Sequence, residues 1–168
     1  MSGRGSSDTQ PERSTIDGEV FRDVIGRFAS GVTVVTARCD GANYGMTASA
    51  VSSLSLDPPL LLICVNRSNS THMAISKSGS FAVNILDEAQ AEVATTFARH
   101  APDKFDAICH DEGTLDLPVL PDSLAVVECT LDDKLIGGTH EVFVGRVRYA
   151  RARDGAPLTY FRGRLGEL

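Results

Sequence analysis

Asp57, Pro58 and Pro59 break the chain just before residues 60–66 (LLLICVN), whose first six positions are apolar without interruption. A run this short, closed off by prolines on one side and a polar stretch on the other, reads as a buried strand. It is the longest apolar stretch in the chain and falls far short of the roughly 20 residues that cross a bilayer, so no membrane span is expected. Most of the remaining pattern is also β. Residues 32–38 (VTVVTAR) form a β-branched run, followed by a turn through Asp40, Gly41 and Asn43 and then by residues 45–56 (GMTASAVSSLSL), which together predict a hairpin. Residues 80–86 predict another strand. Residues 124–135, 139–153 and 157–164 predict three more, the first two joined at Gly137 and Gly138.

Helices are few. Phe21, Val24, Ile25 and Phe28 recur at i, i+3, i+4 and i+7, one stripe of an amphipathic helix that ends by Gly31 and covers something apolar. A short helix is predicted over 71–77 and a longer one over 87–99, which has acids in its first turn and an arginine in its last, as the helix dipole favours. Residues 101–123 contain Pro102, Pro118 and Pro121 and predict a long loop of the kind that carries function. Strands dominate and βαβ crossovers do not repeat. The residues therefore predict a mainly β fold, a closed antiparallel barrel with a few helices, rather than a doubly wound sheet.

A chain of 168 residues suits one core, and we expect a single domain over 16–168. Residues 1–15 are polar, rich in Ser and Gly, and lack the apolar middle of a secretory signal, so they predict a disordered tail on a cytoplasmic protein. Cys39, Cys64, Cys109 and Cys129 lie far apart and predict reduced thiols. The histidines are equally scattered, and no metal site is expected. A net charge of −6 argues against nucleic acid as a partner. Arg146, Arg148, Arg151, Arg153, Arg162 and Arg164 crowd the C-terminal end, either as a solvated strand face or as partners for an anionic nucleotide. Neither GxGxxG after a strand, nor GxxxxGK[ST], nor GxSxG occurs, which argues against a Rossmann site, a P-loop and a hydrolase elbow.

Two clusters carry chemistry. In Thr47, Ala48, Ser49, Ala50, Val51, Ser52 and Ser53, small side chains and hydroxyls replace the bulky residues usual in a strand. They let a flat ring approach the backbone, or they mark a closely packed strand pair. In Asn66, Arg67, Ser68, Asn69, Ser70 and Thr71, the chain leaves a buried strand and enters a helix, gathering helix-start amides, hydroxyls and an arginine. Such a place favours a phosphate, although helix capping alone accounts for most of it.

Residues 21–36 (FRDVIGRFASGVTVVT), 45–71 (GMTASAVSSLSLDPPLLLICVNRSNST), 81–86 (FAVNIL), 97–99 (FAR), Lys104 with Phe105, 125–129 (AVVEC), 137–147 (GGTHEVFVGRV) and 157–166 (PLTYFRGRLG) resemble, in order, the flavin reductase family. Its members are the reductase partners of two-component flavin-dependent monooxygenases. The resemblance implies a split β-barrel of the FMN-binding type and a homodimer with flavin in a groove near the interface. The implied activity moves hydride from NADH or NADPH to FMN or FAD and supplies reduced flavin to a partner monooxygenase. By similarity, Thr47, Ala48 and Ser49 line the flavin ring, while Ser52, Ser53, Cys64, Val65 and Asn66 follow its ribityl chain. Ser70, Thr71 and Lys104 hold phosphate, and Phe105 packs at the cofactor. His140 resembles the family histidine near the nicotinamide, the catalytic position, and Tyr160 and Arg162 complete that pocket. Two departures concern the nicotinamide end: Thr139 stands where the family often has an acidic residue, and Leu165 where it often has an aromatic one. Hydride transfer between two stacked rings needs no protein proton donor, which agrees with the lack of a carboxylate dyad or Ser-His-Asp set. Two rivals remain at this stage: another flavin-dependent oxidoreductase on the same barrel, and a non-catalytic flavin-binding protein.

Overall fold

The structure is a computed structural model that describes residues 16–166, so the tail predicted over 1–15 lies outside the described residues. The Asp17 side chain accepts from the Glu19 N–H at 2.6 Å and opens helix α1 (Gly18–Ile25), which ends at Gly26. After the two-residue β1 (Ser30–Gly31) come β2 (Thr33–Cys39) and β3 (Ala42–Ala48). Asp40 and Gly41 join them with φ of 52° and 77°, the left-handed pair that a type I′ hairpin turn requires.

The strand predicted over 45–56 is two strands. The chain stops pairing with β2 after Ala48, and the Ala50 carbonyl accepts from the Cys64 N–H at 3.0 Å. From there β4 (Val51–Leu56) pairs with β5 (Pro59–Asn66). Helix α2 (Ser70–Ser78), β6 (Ser80–Ile85), a 3-10 turn at Glu88–Gln90 and α3 (Ala91–Ala98) follow. Within the predicted long loop, β7 (Asp111–Glu112) and β8 (Pro118–Val119) form a short hairpin. The two longest strands, β9 (Ala125–Gly137) and β10 (His140–Ala152), pair from end to end with two register shifts, at Val144/Gly145 and Val147/Tyr149. The last predicted strand is also a hairpin, because Arg162 and Gly163 turn β11 (Thr159–Phe161) back onto β12 (Arg164–Gly166).

The main sheet has the order β3-β2-β6-β9-β10-β5-β4, with every neighbouring pair antiparallel. Its two outermost strands, β3 and β4, are consecutive in the chain, so the sheet curls until its edges meet at Ser49 and Ala50. No ladder joins those edges among the described residues. The closed barrel expected from the residues alone is thus a barrel with an open seam.

The barrel interior holds Val35, Ile63, Val65, Phe81, Val83, Cys129 and Phe143, with Ala74 and Ile75 of α2 packed among them. A second cluster lies on the other face of β2, where Val32 and Val34 meet Ala94 and Phe97 of α3. This buries β2 on both faces, and β6 is buried likewise, with Ala82 on the side opposite Phe81 and Val83. β5, which the apolar run marks as buried, alternates instead. Leu61, Ile63 and Val65 face the core, whereas Leu62 and Cys64 are only half-covered on the opposite face. The stripe of α1 departs from expectation further: none of its residues is buried, and Phe28 is 75% exposed. α1 meets the barrel through its end, where the Arg162 N–H donates to the Gly26 carbonyl, so its apolar side lies uncovered. Among the described residues, no helix is long and apolar enough to cross a membrane.

Candidate functional site

The seam opens into a groove of about 760 Å³. One wall is Ser49, Ala50, Val51 and Ser52, the chain that crosses from β3 to β4. Behind it stand Leu62 and Cys64 on the half-covered face of β5. The far wall is α1 and its exit, with Ile25 and Phe28, and Tyr160, Arg162 and Gly163 of the last hairpin close one end. Arg162 reaches the groove from a turn position with φ of 48° and stands 4.0 Å from the Asp23 carboxylate. The volume falls in the range of small-molecule sites, and the lining suits a flat apolar body edged by polar groups.

A second cleft of about 480 Å³ lies where Tyr44 and Gly45 of β3 face Ser68, Asn69 and Ser70 at the start of α2. Lys104 and Phe105 form its other side. The Asn66 carboxamide oxygen accepts from both the N–H and the hydroxyl of Ser68 at 2.9 Å, and Asn69 caps α2 by accepting from the Thr71 N–H at 2.9 Å. Lys104 is buried, and its ammonium donates to the carbonyls of Gly45 at 2.9 Å and Phe97 at 3.2 Å. No carboxylate lies within ion-pair distance of it among the described residues. Burial pushes its pKa below the ordinary lysine range. An ammonium has three N–H donors, and two are taken here. A buried cation without a counter-charge beside a helix start favours an anion. Gly45 of β3 lines the smaller cleft, and Ser49, the first residue beyond β3, lines the groove, so the two clefts are reached by one short stretch of chain.

The residues singled out from sequence divide into three groups. Ser49, Ser52, Cys64, Tyr160 and Arg162 line the groove at the seam, and Ser70, Lys104 and Phe105 line the smaller cleft. Others stand behind these walls. The Thr47 hydroxyl donates to the Ala94 carbonyl at 2.6 Å, the Ala48 carbonyl accepts from the Thr33 hydroxyl at 2.7 Å, and Val65 is fully within the core. Thr71 is fully buried, and its hydroxyl has no hydrogen-bond partner among the described residues. Ser53 is exposed and lines neither cleft. His140 is exposed at the start of β10, opposite Asn66 across the ladder, with its Nδ1 3.0 Å from the Thr139 hydroxyl. It too lines neither cleft.

Sequence reasoning missed the contribution of α1 to the groove, although the uncommitted apolar stripe was its signal. Four of the six C-terminal arginines serve strand faces and loops. Arg146 pairs with Asp132, Arg148 bonds to Thr130, Arg151 faces the carbonyls of Leu120 and Pro121, and Arg153 pairs with Asp87. Of the long loop, only residues near its start border the smaller cleft. Its later part packs over the barrel, where the buried Glu128 carboxylate accepts from the N–H groups of Thr114 and Leu115.

Residues 25–168 match the flavin reductase like domain. The chain is 48% identical over 155 residues to the reductase component of 4-nitrophenol 4-monooxygenase/4-nitrocatechol 2-monooxygenase from Rhodococcus opacus, spanning 91% of this chain and 82% of that one. It is 40% identical over 150 residues to the FMN reductase (NADH) SmoA of Agrobacterium fabrum, spanning 88% and 84%. The NADH:FAD oxidoreductase SgcE6 of Streptomyces globisporus C-1027, solved in complex with NAD and FAD fragments, superposes with a TM-score of 0.86 at 33% identity, covering 93% of this chain and 97% of that one.

Proposed function

Because the chain belongs to the flavin reductase like domain family, we propose that it is the reductase component of a two-component flavin-dependent monooxygenase. In this role residues 16–168, as one domain, use NADH or NADPH to reduce FMN or FAD. Relatives named as monooxygenase reductase components and as an FMN reductase (NADH) support the reading. The structural observation that carries it is the buried, uncompensated ammonium of Lys104 beside the start of α2, bonded to Gly45, four residues before the Ser49 that opens the hydroxyl-bearing wall of the groove. A flavin mononucleotide offers a phosphate to the first and a flat ring with a polar edge to the second.

The donor set fits such a ligand. Ser70, the amides at the start of α2 and the free N–H of Lys104 would hold phosphate, while Phe105 would pack beside it. Ser49, Ser52 and the backbone around Ala50 would meet the ring and the ribityl chain, with Cys64 behind them. Thr47, Ala48, Val65, Asn66 and Thr71 contribute by shaping these walls, and Ser53, exposed on β4, stands outside them. When bound, flavin supplies the hydride acceptor and the nicotinamide supplies the donor. The work of the protein is then to orient two rings, exclude water and set N–H donors against developing negative charge. Tyr160 and Arg162, at the end of the groove, and His140, at the start of β10, are the groups we assign to the nicotinamide.

A homodimer belongs to the same proposal. The uncovered stripe of α1 borders the groove, and a second copy laid on it would bury Phe21, Val24 and Phe28 while closing the groove from outside. Four free cysteines suit a reducing cytoplasm. The decisive measurement follows NADH and NADPH oxidation by absorbance with FMN, FAD and riboflavin in turn. Turnover that depends on added flavin is expected. Saturable flavin binding without nicotinamide oxidation would leave only a binding protein, and absence of both would end the proposal.

A further inference from the structure

We propose that His72 and Glu141 form a positioning pair that ties the phosphate end of the site to the strand carrying His140. This rests on the reductase reading above and adds to it two residues that line neither cleft.

The two side chains come from distant parts of the sequence, one in the first turns of α2 and the other second in β10. His72 Nε2 lies 2.6 Å from Glu141 Oε2, with the side chains only 15% and 9% exposed. An ionised carboxylate only accepts, so Nε2 carries the proton in this contact. The ring of His72 packs at 5.2 Å against that of Phe143, which is fully buried. Among the described residues, the Glu141 carboxylate has no other side-chain partner.

Each half of the pair sits next to a residue assigned to the ligand. His72 is two positions from Ser70 in the smaller cleft, and Glu141 adjoins His140. Backbone links run alongside. The Arg67 N–H donates to the Thr139 carbonyl at 3.1 Å, the Asn69 N–H to the Asn66 carbonyl at 3.0 Å, and Asn66 faces His140 across the ladder. The pair therefore closes a bridge between the polar turn and the strand start.

Stability alone does not call for such a bridge, because an apolar pair of similar shape generally packs as well as a buried ionic one. What a short hydrogen bond between fixed elements adds is one defined distance between them. Breaking it should loosen both ends of the site at once, and that joint effect separates positioning from ordinary packing.

Glu141→Leu and His72→Phe keep bulk and remove the bond. Each is expected to raise the Kd for FMN and the KM for NADH together by about fivefold or more, as coupling between contacting residues allows. The double variant should be no worse than the worse single one. Glu141→Gln still accepts the Nε2 proton and should recover most of the loss. A shift in only one constant, additive losses in the double variant, or a lowered Tm with both constants at parental values would overturn the proposal. His72→Phe retains a ring against Phe143 and serves if Glu141→Leu does not fold. Failure of the parent to bind flavin or oxidise NADH would sink the reductase reading instead. The pair is then still decided by amide exchange, which must quicken in His72→Phe both at Arg67–His72 and at His140–Phe143; a change confined to one segment overturns it.

Discussion

Replacing Gly45 by alanine tests how the smaller cleft is held in shape. Gly45 is buried in β3, its backbone lies outside the left-handed region, and alanine fits its conformation, so any destabilisation is steric. A Cβ there would lie 2.6 Å from Phe97 Cε1 and 3.3 Å from Phe105 Cζ. Carbon pairs prefer about 3.5–4.0 Å, so the Phe97 ring must retreat by about 1 Å. It has little room to do so, being 1% exposed and packed with Val34, Leu86, Ala94, Leu120 and Leu158. Overpacking of this kind costs roughly 1–3 kcal/mol. At about 2–4 °C per kcal/mol for a chain of this size, Tm should fall by roughly 2–12 °C. The disturbance also reaches the ligand side. Phe97 and Phe105 meet edge to face at 5.1 Å, and Lys104 donates to the carbonyl of Gly45 itself, so FMN affinity should fall with Tm. Thermal unfolding by circular dichroism and FMN titration by fluorescence read the two effects. Gly18→Ala in α1 is the control, because nothing lies within 4 Å of the added carbon. A Gly45→Ala protein that melts within about 1 °C of the parent and binds FMN as tightly refutes the packing argument.

Burial lowers the Lys104 pKa below its ordinary 10.5. Between the two values the unfolded chain holds the extra proton, so the contribution of Lys104 to stability rises with pH there. The phosphate loses its cation over the same window, and the ratio of FMN to riboflavin affinity should drop there in the parent but stay level in Lys104→Met; parallel curves would remove Lys104 from the phosphate. Thiol labelling at mildly alkaline pH should modify exposed Cys109 first and spare buried Cys129, whose pKa is pushed up to about 12 chiefly by burial, while FMN slows labelling of Cys64 in the groove. Equal labelling rates with and without FMN would place the ligand elsewhere. Val24→Asp on α1 and Phe28→Asp just beyond it each forfeit roughly 1.5–3 kcal/mol of apolar burial if a second copy covers this face, and sedimentation should show the dimer dissociating. A monomeric parent refutes this.

Much of the fold was legible because local chemistry and tertiary context agree. Asp40-Gly41 has the conformations its residue types favour, and the strands at 33–39, 80–85, 125–137 and 140–152 appear where β-branched and apolar runs place them. The break at Ser49 and Ala50 was not legible, since nothing in TASAVSSLSL signals that the chain changes partner from β2 to β5 midway. Only the sheet order reveals it. The Arg162-Gly163 turn was hidden for a different reason: arginine rarely adopts φ of 48°, so its residue type gives no turn signal. At the site, small hydroxyl-bearing residues marked the groove and a helix start marked the smaller cleft, but neither pattern stated that β3 and the residues just after it reach both. The His72–Glu141 contact spans 69 positions, a separation at which one sequence carries no pairing information.

The seam between β3 and β4 has one more implication. Neither rim of that slot owes its place to rungs from the other, so an occupant can enter and depart without any interstrand pair being undone. Exchange of an occupant then needs no strand separation, and a rigid frame becomes compatible with turnover of what it carries.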